Sequence, residues 1–253
     1  MDLNGKVIAI TGGGQGLGRS MALVLAAKGA KLALIDLNQD KLDEAVALCK
    51  EAGGDAKSYI ANVAKEDQVI STFDKIVAEF GSLHGLINNA GILRDGLMIK
   101  AKDSKIVKKM SLAEWQAVID VNLTGVFLCG REAAERMITL GTKGCIINIS
   151  SISKAGNMGQ SNYSAAKAGV AALTVTWAKE LARHGIRSAG IAPGFIATEM
   201  VASMKPEALE KMSAGIPLKR LGEPEEIGHT CAYIFENEYF TGRVIEMDGG
   251  IRL

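Results

Sequence analysis

The sequence predicts a single-domain α/β protein built on a doubly wound parallel sheet of about seven strands, with helices on both faces. Short apolar runs alternate with helical patterns along the whole chain, which is typical of consecutive strand–helix–strand units. These runs carry apolar residues on both faces, as strands buried within a parallel sheet do. Because no linker, repeat or low-complexity tract interrupts the 253 residues, we treat 1–253 as one domain.

The first half of the chain supplies four strands and three helices. The strands are predicted at 7–11, 31–36, 56–61 and 83–88, and the helices at 16–28, 41–52 and 68–80. Each helix is followed by a glycine, at Gly29, Gly53 and Gly81. Glycine ends helices readily because it adopts the left-handed conformation at little cost.

The second half begins with a capping-box sequence at Ser111 and Glu114, which starts a long helix to about residue 140. The other strands are predicted at 145–150, 187–192 and 243–247, and the other helices at 163–184 and 224–235. Two segments interrupt the alternation: 93–110 contains five lysines, and 193–217 contains three methionines. We expect both to be substrate loops, because α/β folds build such sites from long loops at the carboxyl ends of strands.

The composition excludes several classes of function. Lysine plus arginine total 29 and aspartate plus glutamate 28, so the net charge of +1 provides no basic field for nucleic acid or an anionic membrane. The four cysteines form no CxxC pair and no compact zinc spacing, which predicts no metal site and a reducing compartment. The sequence shows neither a bilayer-spanning apolar run nor a signal-peptide pattern, so we expect a cytoplasmic protein.

A glycine-rich loop lies directly between the first strand and the first helix. Residues 11–18 have the pattern T-G-x-x-x-G-x-G. Such glycines let the chain turn tightly and approach a pyrophosphate, which then sits at the helix N-terminus. The loop therefore predicts a Rossmann-type dinucleotide site. Its predicted cofactor contacts are Gly12, Gln15, Gly16, Leu17 and Gly18.

Asp36 ends the second strand, 18 residues beyond Gly18, where a carboxylate would meet the adenosine ribose hydroxyls. A plain turn-forming aspartate is the alternative. A carboxylate about 4 Å from a ribose phosphate of charge about −2 costs on the order of 2 to 8 kcal/mol. Gln15 and Leu37 flank this place without a positive charge to offset that cost. We therefore expect NAD(H) to be preferred over NADP(H), with Leu37 also contacting the cofactor.

Tyr163 and Lys167 form a Tyr-x-x-x-Lys pattern at helical spacing, so both side chains share one helix face. Ser150 stands thirteen residues upstream, at the end of a predicted strand, and this spacing favours it over the neighbouring Ser151 and Ser153. Asn122 is a polar residue within an apolar helical stretch, where asparagine is intrinsically disfavoured.

Together these pieces resemble the short-chain dehydrogenase/reductase family, over essentially the whole chain and in the family's order. The matching pieces are the 11–18 loop, Asn88-Asn89-Ala90-Gly91, Asn122, Ser150, Tyr163 with Lys167, and Pro193-Gly194 followed by Thr198. Within the family, residues 156–163 and 192–196 are similar to the 3-oxoacyl-acyl-carrier-protein reductase branch.

The resemblance implies a role for each residue. Tyr163 is the general acid in carbonyl reduction, Lys167 lowers its pKa and touches the nicotinamide ribose, Ser150 bonds the substrate oxygen, and Asn122 holds a water. The further cofactor contacts that it implies are Asn62, Val63, Asn89, Ala90, Gly91, Pro193, Gly194, Ile196 and Thr198. A unit charge about 4 Å away is worth about three pKa units at an effective dielectric of ~20. We therefore expect Lys167 and oxidised nicotinamide to bring the pKa of Tyr163 from ~10 towards ~7.

Two departures from the family pattern stand out. Asn62 replaces the usual aspartate beside the adenine, which predicts weaker adenine recognition through an amide oxygen. The 31-residue span from Gly91 to Asn122 is longer than is usual in the reductase branch, and it contains the lysine-rich segment. That segment is either a solvated charge run or a docking surface for an acidic carrier protein or for coenzyme A phosphates.

The resemblance implies an oxidoreductase that takes part in fatty acid biosynthesis. The leading hypothesis is an NADH-dependent reductase of the 3-keto group of an acyl thioester, such as 3-oxoacyl-acyl carrier protein or acetoacetyl-coenzyme A. The alternatives are an NAD-dependent dehydrogenase of a sugar, polyol or steroid alcohol, and a non-catalytic nucleotide-binding regulatory protein. The resemblance also implies a homotetramer that packs helices 111–140 and 163–184 between subunits.

Overall fold

Seven parallel strands form the central sheet of the computed structural model, which describes residues 1–202 and 206–252. A separate two-stranded antiparallel ribbon follows the fourth strand. In chain order the strands are β1 (Val7–Thr11), β2 (Lys31–Asp36), β3 (Asp55–Ile60), β4 (Gly85–Asn88), β5 (Ile99–Lys102), β6 (Lys105–Lys109), β7 (Gly144–Ile149), β8 (Ile186–Pro193) and β9 (Val244–Met247). The helices are α1 (Gly16–Ala26), α2 (Gln39–Glu51), α3 (Glu66–Phe80), α4 (Leu112–Ile119), α5 (Gly125–Leu140), α6 (Ser161–Glu180), α7 (Glu199–Ala202), α8 (Pro206–Ala214) and α9 (Pro224–Glu236).

The sheet order β3-β2-β1-β4-β7-β8-β9 confirms the predicted doubly wound α/β fold. The chain runs outwards from β1 to β3, then returns to place β4 on the other side of β1. In open sheets of this kind, ligands bind outside the carboxyl ends of the strands at the point where the order reverses. Here that point lies between β1 and β4.

Helices cover the sheet on both faces, as the apolar runs predicted. Ile8 and Ile10 of β1 are fully buried in the core that includes α1 and α9. Val7 and Ala9 point the other way, into the core that includes α3, α5 and α6. Alternate residues of one strand thus enter two different hydrophobic cores, which is the reason for a continuous apolar run.

The helix predicted at 111–140 is interrupted by a π-helical turn, Asp120–Thr124, between α4 and α5. Such turns insert an extra residue and commonly occur at functional sites. This one contains Asn122, which is fully buried. Its Oδ1 accepts a hydrogen bond from the Ile92 backbone N–H at 2.8 Å, and its Nδ2 donates to the Ile92 carbonyl at 3.0 Å. These bonds clamp the segment that follows β4, a role distinct from the water-holding role that the resemblance implies.

The two segments predicted as loops contain regular structure. Residues 99–109 form the β5–β6 ribbon, whose turn residues Asp103 and Ser104 both have positive φ, at 49° and 59°. Two successive positive φ values are typical of a type I′ hairpin turn, which usually carries glycine. The absence of glycine explains why the sequence did not predict a hairpin. The second segment, 193–217, contains α7 and α8, and its residues 203–205, including Met204, lie outside the described residues.

No helix in the described part of the chain is both long enough and apolar enough to cross a membrane.

The Asn122 clamp generates a prediction about stability. We expect Asn122→Ala to lower the free energy of unfolding by about 2–4 kcal/mol, because it leaves both Ile92 peptide groups without their partners. Urea denaturation at fixed protein concentration measures this change. Gln116→Ala, which removes an exposed hydrogen bond to Asp120, is the matched control and should cost less than about 0.5 kcal/mol. Equal effects of the two variants would show that the clamp does not stabilise the fold.

Candidate active site

A cleft of about 680 Å³ opens at the carboxyl ends of β1, β2 and β4, where the strand order reverses. This volume is in the range of small-molecule and cofactor sites. Twelve residues predicted to bind the cofactor line it: Gly12, Gln15, Gly16, Leu17, Asp36, Leu37, Asn62, Val63, Asn89, Ala90, Gly91 and Thr198. Ile35, Ala61, Ile92, Val121 and Glu199 complete the lining and were not predicted.

The remaining predicted contacts lie outside this lining. Pro193 ends β8, and the Gly194 N–H donates to the Met247 carbonyl at 2.8 Å. Ile196 is buried and pairs with Gly222 in an isolated β-bridge. The structure thus places this turn beside the end of β9, while Thr198, next along the chain, reaches the cleft.

The glycine loop brings backbone closer together than side chains would allow. Gly12 has a φ of +64°, in the region that glycine adopts most readily. A Cβ at Gly18 would lie 1.9 Å from the Gly12 carbonyl oxygen, so only glycine lets α1 start against the loop. Backbone without side chains therefore lines the cleft at the first turn of α1, and such a surface suits a pyrophosphate. For this reason the loop residues fit a dinucleotide cofactor.

Thr11 and Asn89 fasten the loop to the end of β4. The Thr11 hydroxyl accepts hydrogen bonds from the Asn89 and Ala90 backbone N–H groups at 3.0 and 3.1 Å. The Asn89 side-chain amide donates to the carbonyls of Thr11 and Gly12, both at 3.1 Å. Asn89 thus lines the cleft and also holds its floor together. This role of Thr11 was not predicted, although a hydroxyl at the end of a buried strand was a usable signal.

Asp36 has two functions at once. Its Oδ1 accepts from the Leu37 N–H at 2.7 Å, and its Oδ2 accepts from the Gly14 N–H at 3.2 Å. The carboxylate therefore stabilises the local turn and also lines the cleft. The two interpretations of this residue, a turn-forming aspartate and a cofactor contact, are thus compatible. Among the described residues that line the cleft, the charged ones are Asp36 and Glu199, both acidic. Arg19 forms ion pairs with Glu44 and Glu199 at the same rim.

At the predicted adenine end, the Asn62 side chain is already engaged. Its Oδ1 accepts from the Ala64 N–H at 3.0 Å, while its backbone N–H donates to the Gln68 side chain at 2.8 Å. One lone pair of the amide oxygen is thus used to shape the turn. Val63 beside it is buried and packs close to Gly125.

Lys167 is almost fully buried, and its ammonium donates a hydrogen bond to the Ile149 carbonyl at the end of β7, at 2.7 Å. Burial lowers the pKa of Lys167 to about 8 because a buried ammonium loses its hydration. Its Nζ lies 5.6 Å from the centre of the Tyr163 ring. The structure therefore brings the two side chains together on one face of α6, as the spacing predicted.

The two adjacent serines differ in their partners. The Ser150 hydroxyl is buried and donates to the Lys167 carbonyl at 2.8 Å, which joins β7 to α6. The Ser151 hydroxyl instead accepts a hydrogen bond from the Ser153 N–H at 3.1 Å, and it is close enough to Tyr163 to lower the pKa of that phenol. Ser150 still continues the strand, with its N–H donating to the Ile191 carbonyl at 2.7 Å. Both serines follow the last residue of β7, and their hydroxyls meet different partners there.

The surroundings of Tyr163 act on the pKa of its phenol in both directions. Burial raises the pKa of Tyr163 above its usual value, the hydrogen bond with Ser151 lowers it, and the carboxylate of Asp95 raises it. The expected lowering towards ~7 depends on bound oxidised nicotinamide as well as on Lys167, so it stays a prediction.

Asn162 positions Tyr163 and was not assigned a role from the sequence. It is fully buried, and its Oδ1 accepts from the Tyr163 N–H at 2.8 Å. Its amide donates to the carbonyls of Arg94 and Glu114 at 3.1 and 3.2 Å. The start of α6 is thereby tied to the segment after β4 and to α4.

The described residues contain no group of three or more histidine, cysteine, aspartate or glutamate side chains placed to hold a metal ion. The groups at hand for chemistry are a half-buried phenol, a serine hydroxyl and a buried ammonium at the carboxyl end of β7, on the same edge of the sheet as the cleft. This set can donate a proton and hydrogen-bond a substrate oxygen.

The chain has relatives of full length. A family model described as enoyl-(acyl carrier protein) reductase matches residues 12–252. The 3-oxoacyl-[acyl-carrier-protein] reductase FabG of Thermotoga maritima is 40% identical over 254 residues, covering 99% of each chain. The 3-oxoacyl-[acyl-carrier-protein] reductase of Synechocystis sp. is 41% identical over 255 residues, covering 98% of each.

Solved structures are similar over the same length. Levodione reductase has a TM-score of 0.88 and 36% identity, covering 98% of each chain. A short-chain type dehydrogenase/reductase from Mycobacterium marinum has a TM-score of 0.85 and 33% identity, covering 98% of this chain and 96% of that one. The fold, the nucleotide-sized cleft and this similarity together show that the chain belongs to the short-chain dehydrogenase/reductase family.

Proposed function

We propose that this protein is an NADH-dependent reductase that converts the 3-keto group of an acyl thioester to the 3-hydroxy product. The observation that carries the proposal is the position of the Tyr163 phenol on the same face of α6 as the Lys167 ammonium, whose Nζ lies 5.6 Å from the centre of the ring. Full-length relatives named 3-oxoacyl-[acyl-carrier-protein] reductase support this substrate class. The complete set of Tyr163, Ser151 and Lys167 argues against a non-catalytic regulatory protein.

The residues divide the reaction between them. The family binds a nicotinamide cofactor, which supplies the hydride for the carbonyl carbon. Tyr163 donates its phenolic proton to the carbonyl oxygen, and the Ser151 hydroxyl hydrogen-bonds that oxygen as negative charge develops on it. Lys167, mostly charged below its pKa of about 8, stabilises the tyrosinate that remains and provides a proton for its return. Hydride plus proton together reduce the ketone to the alcohol.

The acidic rim of the cleft supports NADH as the reductant. A ribose phosphate beside Asp36 would lie next to a carboxylate, and no lysine or arginine is among the described residues that line the cleft. The ribose hydroxyls of NADH would instead donate hydrogen bonds to that carboxylate.

Residues outside the cleft keep their proposed roles. The turn at Pro193, Gly194 and Ile196 supports the nicotinamide end, with Thr198 in the lining. We also propose a homotetramer, because α5 and α6 expose the apolar side chains of Phe127, Ile138 and Val175. A cytoplasmic location stays a prediction from sequence.

The substrate class is tested by an absorbance assay of NADH oxidation. We expect turnover with acetoacetyl-coenzyme A that exceeds turnover with a panel of cyclic ketones, sugars and steroids. Tyr163→Phe should bind NADH normally, measured by fluorescence titration, and lose about 10²- to 10⁴-fold in kcat. Turnover of a cyclic ketone but not of the thioester would favour the alternative of another secondary alcohol. Near-normal kcat in Tyr163→Phe would exclude the proton-donor role.

The two serines generate a matched pair of variants. We expect Ser151→Ala to lower kcat by about 10²- to 10³-fold, because it removes the hydrogen bond to the developing alkoxide. Ser150→Ala should change kcat by less than tenfold and lower the melting temperature, because it leaves the buried Lys167 carbonyl without its donor. Steady-state kinetics and thermal denaturation separate the two roles. The reverse result would return the catalytic role to Ser150.

Cofactor choice is tested at Asp36. We expect the native protein to bind NADH more tightly than NADPH, and Asp36→Asn to raise the ratio of kcat/KM for NADPH over NADH at least tenfold. The physical reason is the removal of a charge repulsion on the order of 2 to 8 kcal/mol. Asp55→Asn, at the amino end of β3, is the matched control and should leave the ratio unchanged. Tighter binding of NADPH by the native protein would overturn the NADH assignment.

A further inference from the structure

The β5–β6 ribbon has two chemically different faces. Cross-strand partners share a face of a ribbon, and the register pairs Lys100 with Lys108 and Lys102 with Lys105. All four lysines therefore project from one face. The opposite face carries Ile99, Ala101, Ile106 and Lys109, and an irregularity in the register accommodates Val107. Every residue of both strands is exposed.

This lysine face carries unbalanced charge. Like charges directly opposite one another destabilise a strand pair, and here two consecutive same-face positions are lysine pairs. Five lysines and one aspartate give residues 99–109 a net charge of +4, so the rest of the chain carries −3 of the total +1. Glu114, which binds Lys108 at 2.8 Å, is the acidic partner that the described structure gives the ribbon. An anionic surface on this face would relieve the remaining repulsion.

The base of the ribbon is attached to the rim of the active site. The Gly96 N–H donates to the Gly159 carbonyl at 2.8 Å, and the Gln160 side chain donates to Asp95 at 2.9 Å. Gly159 and Gln160 lie a few residues before Tyr163. A partner that covers the lysine face would therefore sit beside the mouth of the site.

The geometry favours an acidic protein surface over a phosphate group. The two lysine pairs are two residues apart along β5, which is about 7 Å of strand. Their ammonium groups are exposed on flexible stems, so they do not converge as the donors of a phosphate site do. Spread, exposed charges of one sign act chiefly by steering a complementary partner and raising its association rate.

We propose that the lysine face of the β5–β6 ribbon docks the acidic protein domain that carries the acyl thioester. This inference rests on the proposed function, since it names the carrier of that substrate. The docked carrier lies at the rim beside Tyr163 and delivers its thioester into the site. Coenzyme A thioesters reach the same site without using the ribbon.

The test compares two carriers of the same acyl group. We expect Lys100→Glu, Lys102→Glu and Lys105→Glu in one variant to lower kcat/KM for acetoacetyl-acyl carrier protein at least tenfold. The same variant should keep kcat/KM for acetoacetyl-coenzyme A within twofold, and kcat/KM of the native protein for the carrier substrate should fall with added salt. The matched control replaces Lys31, Lys50 and Lys143, which are exposed at the opposite edge of the sheet, by glutamate. It should leave both substrates within twofold.

Each other outcome is decisive. Equal losses on both substrates, or a larger loss on acetoacetyl-coenzyme A, would overturn the docking proposal while leaving the proposed reductase function intact. No loss on the carrier substrate would do the same. A native protein that reduces neither thioester would instead overturn the proposed function, and the carrier with it. Circular dichroism of the triple variant confirms that any loss is measured on folded protein.

Discussion

The site depends on one buried contact, the hydrogen bond from the Lys167 ammonium to the Ile149 carbonyl at the end of β7. An ammonium removed from water costs several kcal/mol unless it is compensated, so this bond is a condition of the fold as well as of the site. The Ser150 hydroxyl returns a bond from the same strand end to the Lys167 carbonyl. These two bonds fix Lys167 of α6 against the end of β7. Tyr163 lies one turn earlier on the same helix, so the same bonds fix its position.

The rest of α6 is secured by buried polar contacts of the same kind. Asn88 of β4 donates to Asn148 of β7 at 2.9 Å, and Asn148 donates to Thr174 of α6 at 3.1 Å. Because unpaired amides in such a place would each cost about 1–3 kcal/mol, this chain of bonds specifies one alignment of strands and helix. At the floor of the cleft, hydrogen bonds between Thr11 and Asn89 connect the ends of β1 and β4 in the same way. Side-chain amides and hydroxyls at the strand ends thus assemble a site from segments far apart in sequence.

Much of this was predictable from the sequence, and the failures have physical causes. The successful predictions rested on local patterns, which do not depend on distant parts of the chain. These patterns are the periodicity of strands and helices, the loop from Gly12 to Gly18, and the spacing of Tyr163 and Lys167. The proposed choice of Ser151 over Ser150 does not follow from a local pattern, because it depends on the partners that each hydroxyl meets beyond the end of β7. The π-turn at Asn122 likewise follows from a contact with Ile92, thirty residues away in sequence. The β5–β6 ribbon was not predicted because its turn contains Asp103 and Ser104 at positions where glycine is usual.

The ionisation states of the two central groups bear on the direction of the proposed reaction. Burial acts in opposite senses on them: it raises the pKa of the Tyr163 phenol and lowers that of the Lys167 ammonium to about 8. Both changes favour the neutral form of each group. A neutral phenol carries the proton that the proposed reduction consumes. Alcohol oxidation would start from the deprotonated phenol, which burial and the Asp95 carboxylate both disfavour.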